Sequence, residues 1–276
     1  MSLWDRIDVE SKPALDILWE ALPGGLNGIP DIVARRAAYE AFRAAAPKGE
    51  FPDLNVSDHS YAGPEGDLSL RLYQPKNATA PAPGLIYIHG GGMIMGNLES
   101  QDEVLKITAS ELGIPIASID YRKAPEHPSP AALNDAYAAY QALRDAGHDP
   151  GQIAIMGDSA GGNLTVALLQ RLRAEGLPLP ASAVLLSPWG QLGGSSPSRR
   201  AHARKEAMLP PDRLEEAARA YAGDMPLEDP RLSVIYGSLE AFPPLMIHVG
   251  SEEILLDDSE ALAAAARSAG VPCDLT

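Results

Sequence analysis

The residues with the clearest chemical potential are Gly157-Asp158-Ser159-Ala160-Gly161, inside the stretch IMGDSAGGN. A serine hydroxyl becomes a nucleophile when a neighbouring base takes its proton and the backbone holds it clear of its surroundings. The G-x-S-x-G pattern meets the second need. A sharp turn from strand into helix strains the serine backbone and lifts its Oγ, and very small residues two positions to either side let strand and helix pass closely. Here both positions, Gly157 and Gly161, are glycine, with the apolar run QIAIM before and GNLTVALLQRLRAEG after. The bland alternative is a turn whose serine only caps a helix. A second element, His89-Gly90-Gly91-Gly92, ends the apolar run LIYI. Successive glycines bring backbone amides close to a ligand and aim N–H groups at it, as an oxyanion hole requires. One such donor supplies roughly 3 to 4 kcal/mol of transition-state stabilisation. The competing reading, a phosphate-binding loop, lacks both the G-x-G-x-x-G spacing and a P-loop lysine.

The elements that must position these residues can be traced along the chain. Helical patterns run from SKPALDILWEAL, which stops at PGG, to PDIVARRAAYEAFRAAA, which has proline in its first turn and stops at PKG. An edge hairpin follows, NVSDHSYA and LSLRLYQ, the second run turning Leu68, Leu70 and Leu72 inward. Then short apolar runs, GLIYIHG, IPIASID, QIAIMG, SAVLLSP and PLMIHVG, alternate with helices near residues 99–112, 129–146, 162–175, 211–222 and 258–269. Continuous apolar strands separated by helices make a parallel sheet covered on both faces, whose ligands gather beyond the carboxyl ends of the strands. The expected organisation is one α/β domain: an N-terminal helical segment, residues 1–50, and a core, 51–276, whose long insertion at 193–230 carries its own helix and could roof the site.

Bulk properties remove several classes of function. With 22 basic against 37 acidic residues, a net charge of -15, the chain repels phosphate backbones and anionic headgroups, so neither nucleic acid nor a membrane is an expected partner. No run is apolar enough to span a bilayer, and MSLWDRIDVE is not a secretory signal, which makes a cytoplasmic protein the expectation. A single cysteine, Cys273, excludes an internal disulfide, fits a reducing compartment and reads as a strand residue.

Taken together, HGGGMIMGNLES, DYRKAPEHPSPAALND and GDSAGGNLTVALLQRL resemble the bacterial hormone-sensitive-lipase family (family IV) of α/β-hydrolase esterases, from about Gly84 onward. The resemblance implies an α/β-hydrolase fold with a helical cap supplied by the N-terminal helices. It implies that Ser159 is the acyl-accepting nucleophile, that the amides of Gly91, Gly92 and Ala160 form the oxyanion hole, and that His89 orients the glycine loop. Gly90, Gly157, Asp158 and Gly161 are then structural supports, while Asp120, Tyr121, Glu126 and His127 brace the site. It further implies a small, water-soluble, short-acyl ester as substrate, no metal or organic cofactor, and a possible homodimer.

In this fold the triad runs serine, acid, histidine along the chain. The family pattern places the acid at Glu253 in SEEILLDDSE, with Glu252 the weaker choice and Asp257 read as the N-cap of the next helix. No histidine follows Glu253. Of the six present, His59 and His148 fall away from the site, His202 lies in the insertion, His248 reads as a core residue, and His89 and His127 have structural roles. Two expectations compete. One is an esterase whose C-terminal strand, histidine loop and helix are missing from this chain; the other is an inactive small-molecule-binding protein, as plant gibberellin receptors resemble the same family. Amide hydrolysis is a third. Without the base, turnover should drop about a million-fold, roughly 8 kcal/mol.

Overall fold

The computed structural model describes residues 28–45, 47–78, 84–194, 196–203 and 211–276. Its elements are, in chain order, α1 (Ile32–Ala44), β1 (Leu54–Gly63), β2 (Gly66–Pro75), β3 (Leu85–Ile88), α2 (Asp102–Leu112), β4 (Ile116–Ile119), α3 (Ala131–Asp145), β5 (Ala154–Asp158), α4 (Ala160–Ala174), β6 (Ser182–Leu186), α5 (Pro197–His202), α6 (Pro211–Ala222), β7 (Leu245–His248), α7 (Leu256–Ser268) and β8 (Cys273–Leu275). The helix read over SKPALDILWEAL lies outside the described residues. The second helical pattern becomes α1, capped by Asp31, whose side chain accepts from the Ala34 amide at 2.8 Å. Proline therefore precedes the cap instead of opening the first turn.

Eight strands form one sheet in the order β1-β2-β4-β3-β5-β6-β7-β8. The β1–β2 hairpin joins antiparallel to β4, and the six strands from β4 to β8 pair parallel. This is the α/β-hydrolase architecture expected from the apolar runs, with one correction. The final strand, expected to be missing, is formed by Cys273–Leu275 in parallel pairing with β7. The run VPCDLT, which reads as the beginning of a strand, thus completes a pairing of three residues.

Burial explains why the runs are continuous. Ile86, Ile88, Ile119 and Ile155 pack with Leu164 and Leu168 of α4 in one cluster, and Ala183, Leu185 and Ile247 pack with Val166 and Leu169 of the same helix in another. Because α4 is apolar around most of its circumference, it is buried on several sides, as an inner helix should be. The hairpin departs from simple alternation. Leu68 and Leu70 do pack on the main core, but Tyr73, on the opposite face of β2, is fully buried beside Leu105 of α2. A helix covers that face of the strand, so both faces need apolar residues.

The strand order also locates the crevice. β3 pairs with β4 on one side and β5 on the other, so the connections leave β3 and β5 in opposite directions. At such a switch point a cleft opens beyond the carboxyl ends of the strands. His89–Gly92 follows β3 and Ser159 follows β5.

Candidate active site

Ser159 occupies the junction between β5 and α4 at φ 51° and ψ -114°. A non-glycine residue with positive φ is strained, and persists only where its neighbours fix it. Several do: the Ser159 amide donates to the Leu186 carbonyl at 2.8 Å, and the Ser159 carbonyl accepts from the Asn163 and Trp189 amides at 3.1 and 3.0 Å. The Asn163 side chain in turn donates to the carbonyls of Trp189 and Leu232, both at 2.8 Å. A Cβ on Gly161 would overlap the Ile88 carbonyl oxygen, and one on Gly157 would overlap the Gly161 carbonyl. Only glycine at 157 and 161 lets helix and strands meet this closely. Among the described residues no hydrogen bond engages the Ser159 hydroxyl.

The glycine loop is tied to this turn by Asp158. Its Oδ1 accepts from the Gly90 amide at 2.7 Å and from the Tyr87 hydroxyl at 2.5 Å. Burial, and then the Asp158 charge, push the Tyr87 hydroxyl well above the ordinary phenol range, so it stays a donor. Farther along, Gly91 and Gly92 stand at φ +112° and +64°. Among the described residues the amides of Gly91, Gly92 and Ala160 have no acceptor. Orphan N–H groups on a loop and at a helix N-terminus are suited to an anionic oxygen.

His89 is fully buried; its Nδ1 donates to the Gly90 carbonyl at 2.7 Å, and its ring stacks on Tyr121 with centroids 4.2 Å apart. The Tyr121 hydroxyl donates to the His89 carbonyl at 2.8 Å. Asp120 Oδ1 lies 3.9 Å from His89 Nε2 and accepts from Lys123 at 2.5 Å. Burial raises the Asp120 carboxyl, but His89 and Lys123 outweigh it and leave its pKa below the usual aspartate value. Glu126 pairs with Arg36 of α1, which pulls its carboxyl down, while His127 is exposed.

Glu253 lies at the same end of the sheet. Its Oε1 accepts from the Ser187 hydroxyl at 2.9 Å and from the Gly250 amide at 2.7 Å. Ser187 follows Leu186, the residue whose carbonyl holds the Ser159 amide, so two strand-end contacts link the acid to the serine. Sequence reading missed Ser187, which sits at φ 44°, because a lone serine after a strand carries no pattern. Glu253 borders a cleft of about 340 Å³ shared with Leu186, Ser187, His248, Val249, Gly250 and Thr276. Glu252 is exposed.

Two readings need correction here. Asp257 is not the N-cap of α7; Leu255 holds that place, and Asp257 accepts from the Ser198 amide of α5 at 2.7 Å instead. His248 is exposed rather than a core residue, because it faces the same way as Met246 on β7, with Thr276 Oγ1 3.2 Å from its Nδ1. Among the described residues none of the six histidines hydrogen-bonds Ser159 or Glu253, and no cluster of His, Cys, Asp and Glu could hold a metal ion. No helix among them is long and apolar enough to cross a membrane.

Residues 85–276 match the family described as having the alpha/beta hydrolase fold. An acetyl-hydrolase of Streptomyces hygroscopicus is 41% identical over 246 residues, which span 88% of this chain and 78% of that protein. The carboxylic ester hydrolase LipN of Mycobacterium tuberculosis is 36% identical, over 91% of this chain and 70% of its own. Among solved structures, an esterase from the bacterial hormone-sensitive lipase family superposes with a TM-score of 0.88 at 32% identity, covering 98% of this chain and 88% of that one. EstE5, in a crystal soaked with p-nitrophenyl butyrate, gives 0.86 at 33% identity, over 98% of this chain and 88% of its own.

Proposed function

The chain belongs to the hormone-sensitive-lipase family of α/β-hydrolase esterases, and from that premise we propose that it hydrolyses carboxylic esters through an acyl-enzyme on Ser159. The observation that carries this reading is a strained serine with an unengaged hydroxyl beside three unpaired amides. Ser159 Oγ attacks the ester carbonyl carbon as a base removes its proton. The carbonyl oxygen, now anionic, is stabilised by the Gly91, Gly92 and Ala160 amides. The alcohol departs with a proton returned by the base, and water repeats the sequence on the acyl-serine to release the acid. Family membership favours short-acyl, water-soluble esters, with α1 and α6 forming a cap.

Glu253 fits the role of the acid that orients an imidazole, since its Oε1 is fixed by two donors and an open cleft adjoins it. Among the described residues no histidine is bonded there, so the chain is expected to turn over slowly, down by as much as about a million-fold. The test is p-nitrophenyl butyrate hydrolysis with and without added imidazole. Once the protein-free rate at the same imidazole concentration is subtracted, imidazole should raise the rate of the parent chain and of His248→Ala, but not of Ser159→Ala. Glu253→Gln should blunt that rescue by at least about tenfold, while Glu252→Gln leaves it intact. Undiminished activity in Ser159→Ala would remove the nucleophile assignment, and loss of activity in His248→Ala would make that histidine the base.

A further inference from the structure

The loop that carries Gly91 and Gly92 does not fix its own shape. Gly91, Gly92 and Met93 stand in succession at φ +112°, +64° and +58°, and Met93 is a fully buried non-glycine residue. Consecutive left-handed residues persist only where surrounding contacts over-determine them. Within the loop, the amides of Ile94 and Met95 both donate to the Gly91 carbonyl, at 3.1 and 3.0 Å. The remaining restraints come from elsewhere. The Ala124 amide donates to the Met93 carbonyl at 2.9 Å. Arg36 of α1 donates its Nε to the Ile94 carbonyl at 2.6 Å and its Nη2 to the Ala124 carbonyl at 2.7 Å, with Glu126 gripping the guanidinium through two further bonds of 2.8 and 2.7 Å. One planar cation thus fastens the loop at Ile94 and, at Ala124, the segment that holds Met93.

From α6 comes a second contact. A Cβ on Gly92 would stand 3.2 Å from the Ala217 methyl, so Ala217 occupies the side of the loop that lacks a side chain. The residues next to these two are themselves paired: Arg35, only 3% exposed, donates to Glu216 at 2.8 Å, and its other nitrogens hold the Ile29 and Pro30 carbonyls at 2.9 Å each. We propose that Arg36 and Ala217 are positioning residues that clamp the glycine loop between α1 and α6, with the Arg35–Glu216 pair setting the spacing of the two helices. A bare ion pair with half-exposed Glu126 would contribute little. The bonds to the Ile94 and Ala124 carbonyls and the methyl against Gly92 give the clamp its geometry. Its catalytic consequence rests on the reading of Gly91 and Gly92 as oxyanion donors.

Amide hydrogen exchange of the full chain, followed by mass spectrometry, reads the loop directly. Arg36→Ala should speed exchange in the segment 90–96 by about tenfold while the turn at 153–166 keeps its protection, and Arg36→Lys should give a smaller rise. Ala217→Gly should loosen the same segment, and Arg219→Ala, on the exposed part of α6, should change nothing. Imidazole-rescued ester hydrolysis by Arg36→Ala should lose about tenfold in kcat with KM within about twofold. Unchanged exchange at 90–96 in Arg36→Ala or Ala217→Gly overturns the role of that residue. An equal rise at 90–96 and 153–166 overturns the clamp in favour of general destabilisation. A loosened loop with undiminished kcat keeps the clamp and overturns instead the assignment of Gly91 and Gly92 as donors.

Discussion

Ser159, Gly161 and Asp158 show how few atoms decide the site. A methyl at Gly161 has nowhere to go, because the Ile88 carbonyl occupies its place and belongs to a central strand. Gly161→Ala should lower stability by about 3 kcal/mol, read as a reduced urea midpoint, and an unchanged midpoint would mean the turn can relax. Asp158→Ala removes the acceptor shared by the Gly90 amide and the Tyr87 hydroxyl. Leaving two buried donors unpaired should cost about 2 to 3 kcal/mol, and Tyr87→Phe in the same background should return part of it. The need for glycine at 157 was legible in the sequence, since the group a methyl there would strike, the Gly161 carbonyl, lies within the same five residues; at 161 the pattern asked for glycine but the obstructing Ile88 carbonyl comes from another strand. That Asp158 ties the turn to the glycine loop was not legible, because its partners lie on another strand.

At the scale of elements, the junction of α5 and α7 depends on charges whose roles shift with packing. Ser198 and Asp257 exchange bonds between the first turns of the two helices: the Ser198 amide donates to Asp257 at 2.7 Å, and the Asp257 amide donates to Ser198 Oγ at 3.2 Å. Next to them Arg199 and Asp258, 6% and 1% exposed at their side chains, form an ion pair at 2.9 Å. The sequence read Asp257 as the N-cap of α7, whereas it lies in the first turn and serves α5. Burial pushes the Asp258 carboxyl above its ordinary value, against the pull of Arg199. Arg199→Met should therefore cost about 3 kcal/mol at neutral pH by stranding that carboxylate. In the folded state Asp258 holds its proton to higher pH than in the unfolded chain, so stability falls as pH rises through its folded value. The deficit of Arg199→Met should accordingly shrink as pH is lowered toward 4, and a deficit that stays constant would show that lost packing, not charge, is responsible.

Across the whole molecule the balance of carboxylates has the opposite sign. Asp102, Asp120, Glu126 and Glu216 are held below their ordinary values of 3.8 and 4.5: Lys106 and its neighbours outweigh burial at Asp102, His89 and Lys123 do so at Asp120, and Arg36 and Arg35 act on Glu126 and Glu216. Each contributes stability that is present above its unfolded pKa and is lost as pH falls through the folded one. The urea midpoint should hold from pH 7 to about 5 and then fall. A midpoint that rises instead would mean that relief of the net charge of -15 outweighs the lost pairs. The sequence by itself determined the alternation of the central strands and their helices, the turn around Ser159 and the glycine run, because each is a local pattern: an apolar period, a steric need for glycine, or a run of residues without side chains. Tertiary structure alone decided which distant groups complete them. Arg36 reaches Glu126 across 90 residues, Ser187 reaches Glu253 across 66, and Ala217 meets Gly92. Contacts between residues so far apart depend on the crossing of β3 and β5 connections and on helix packing, which no window of sequence contains.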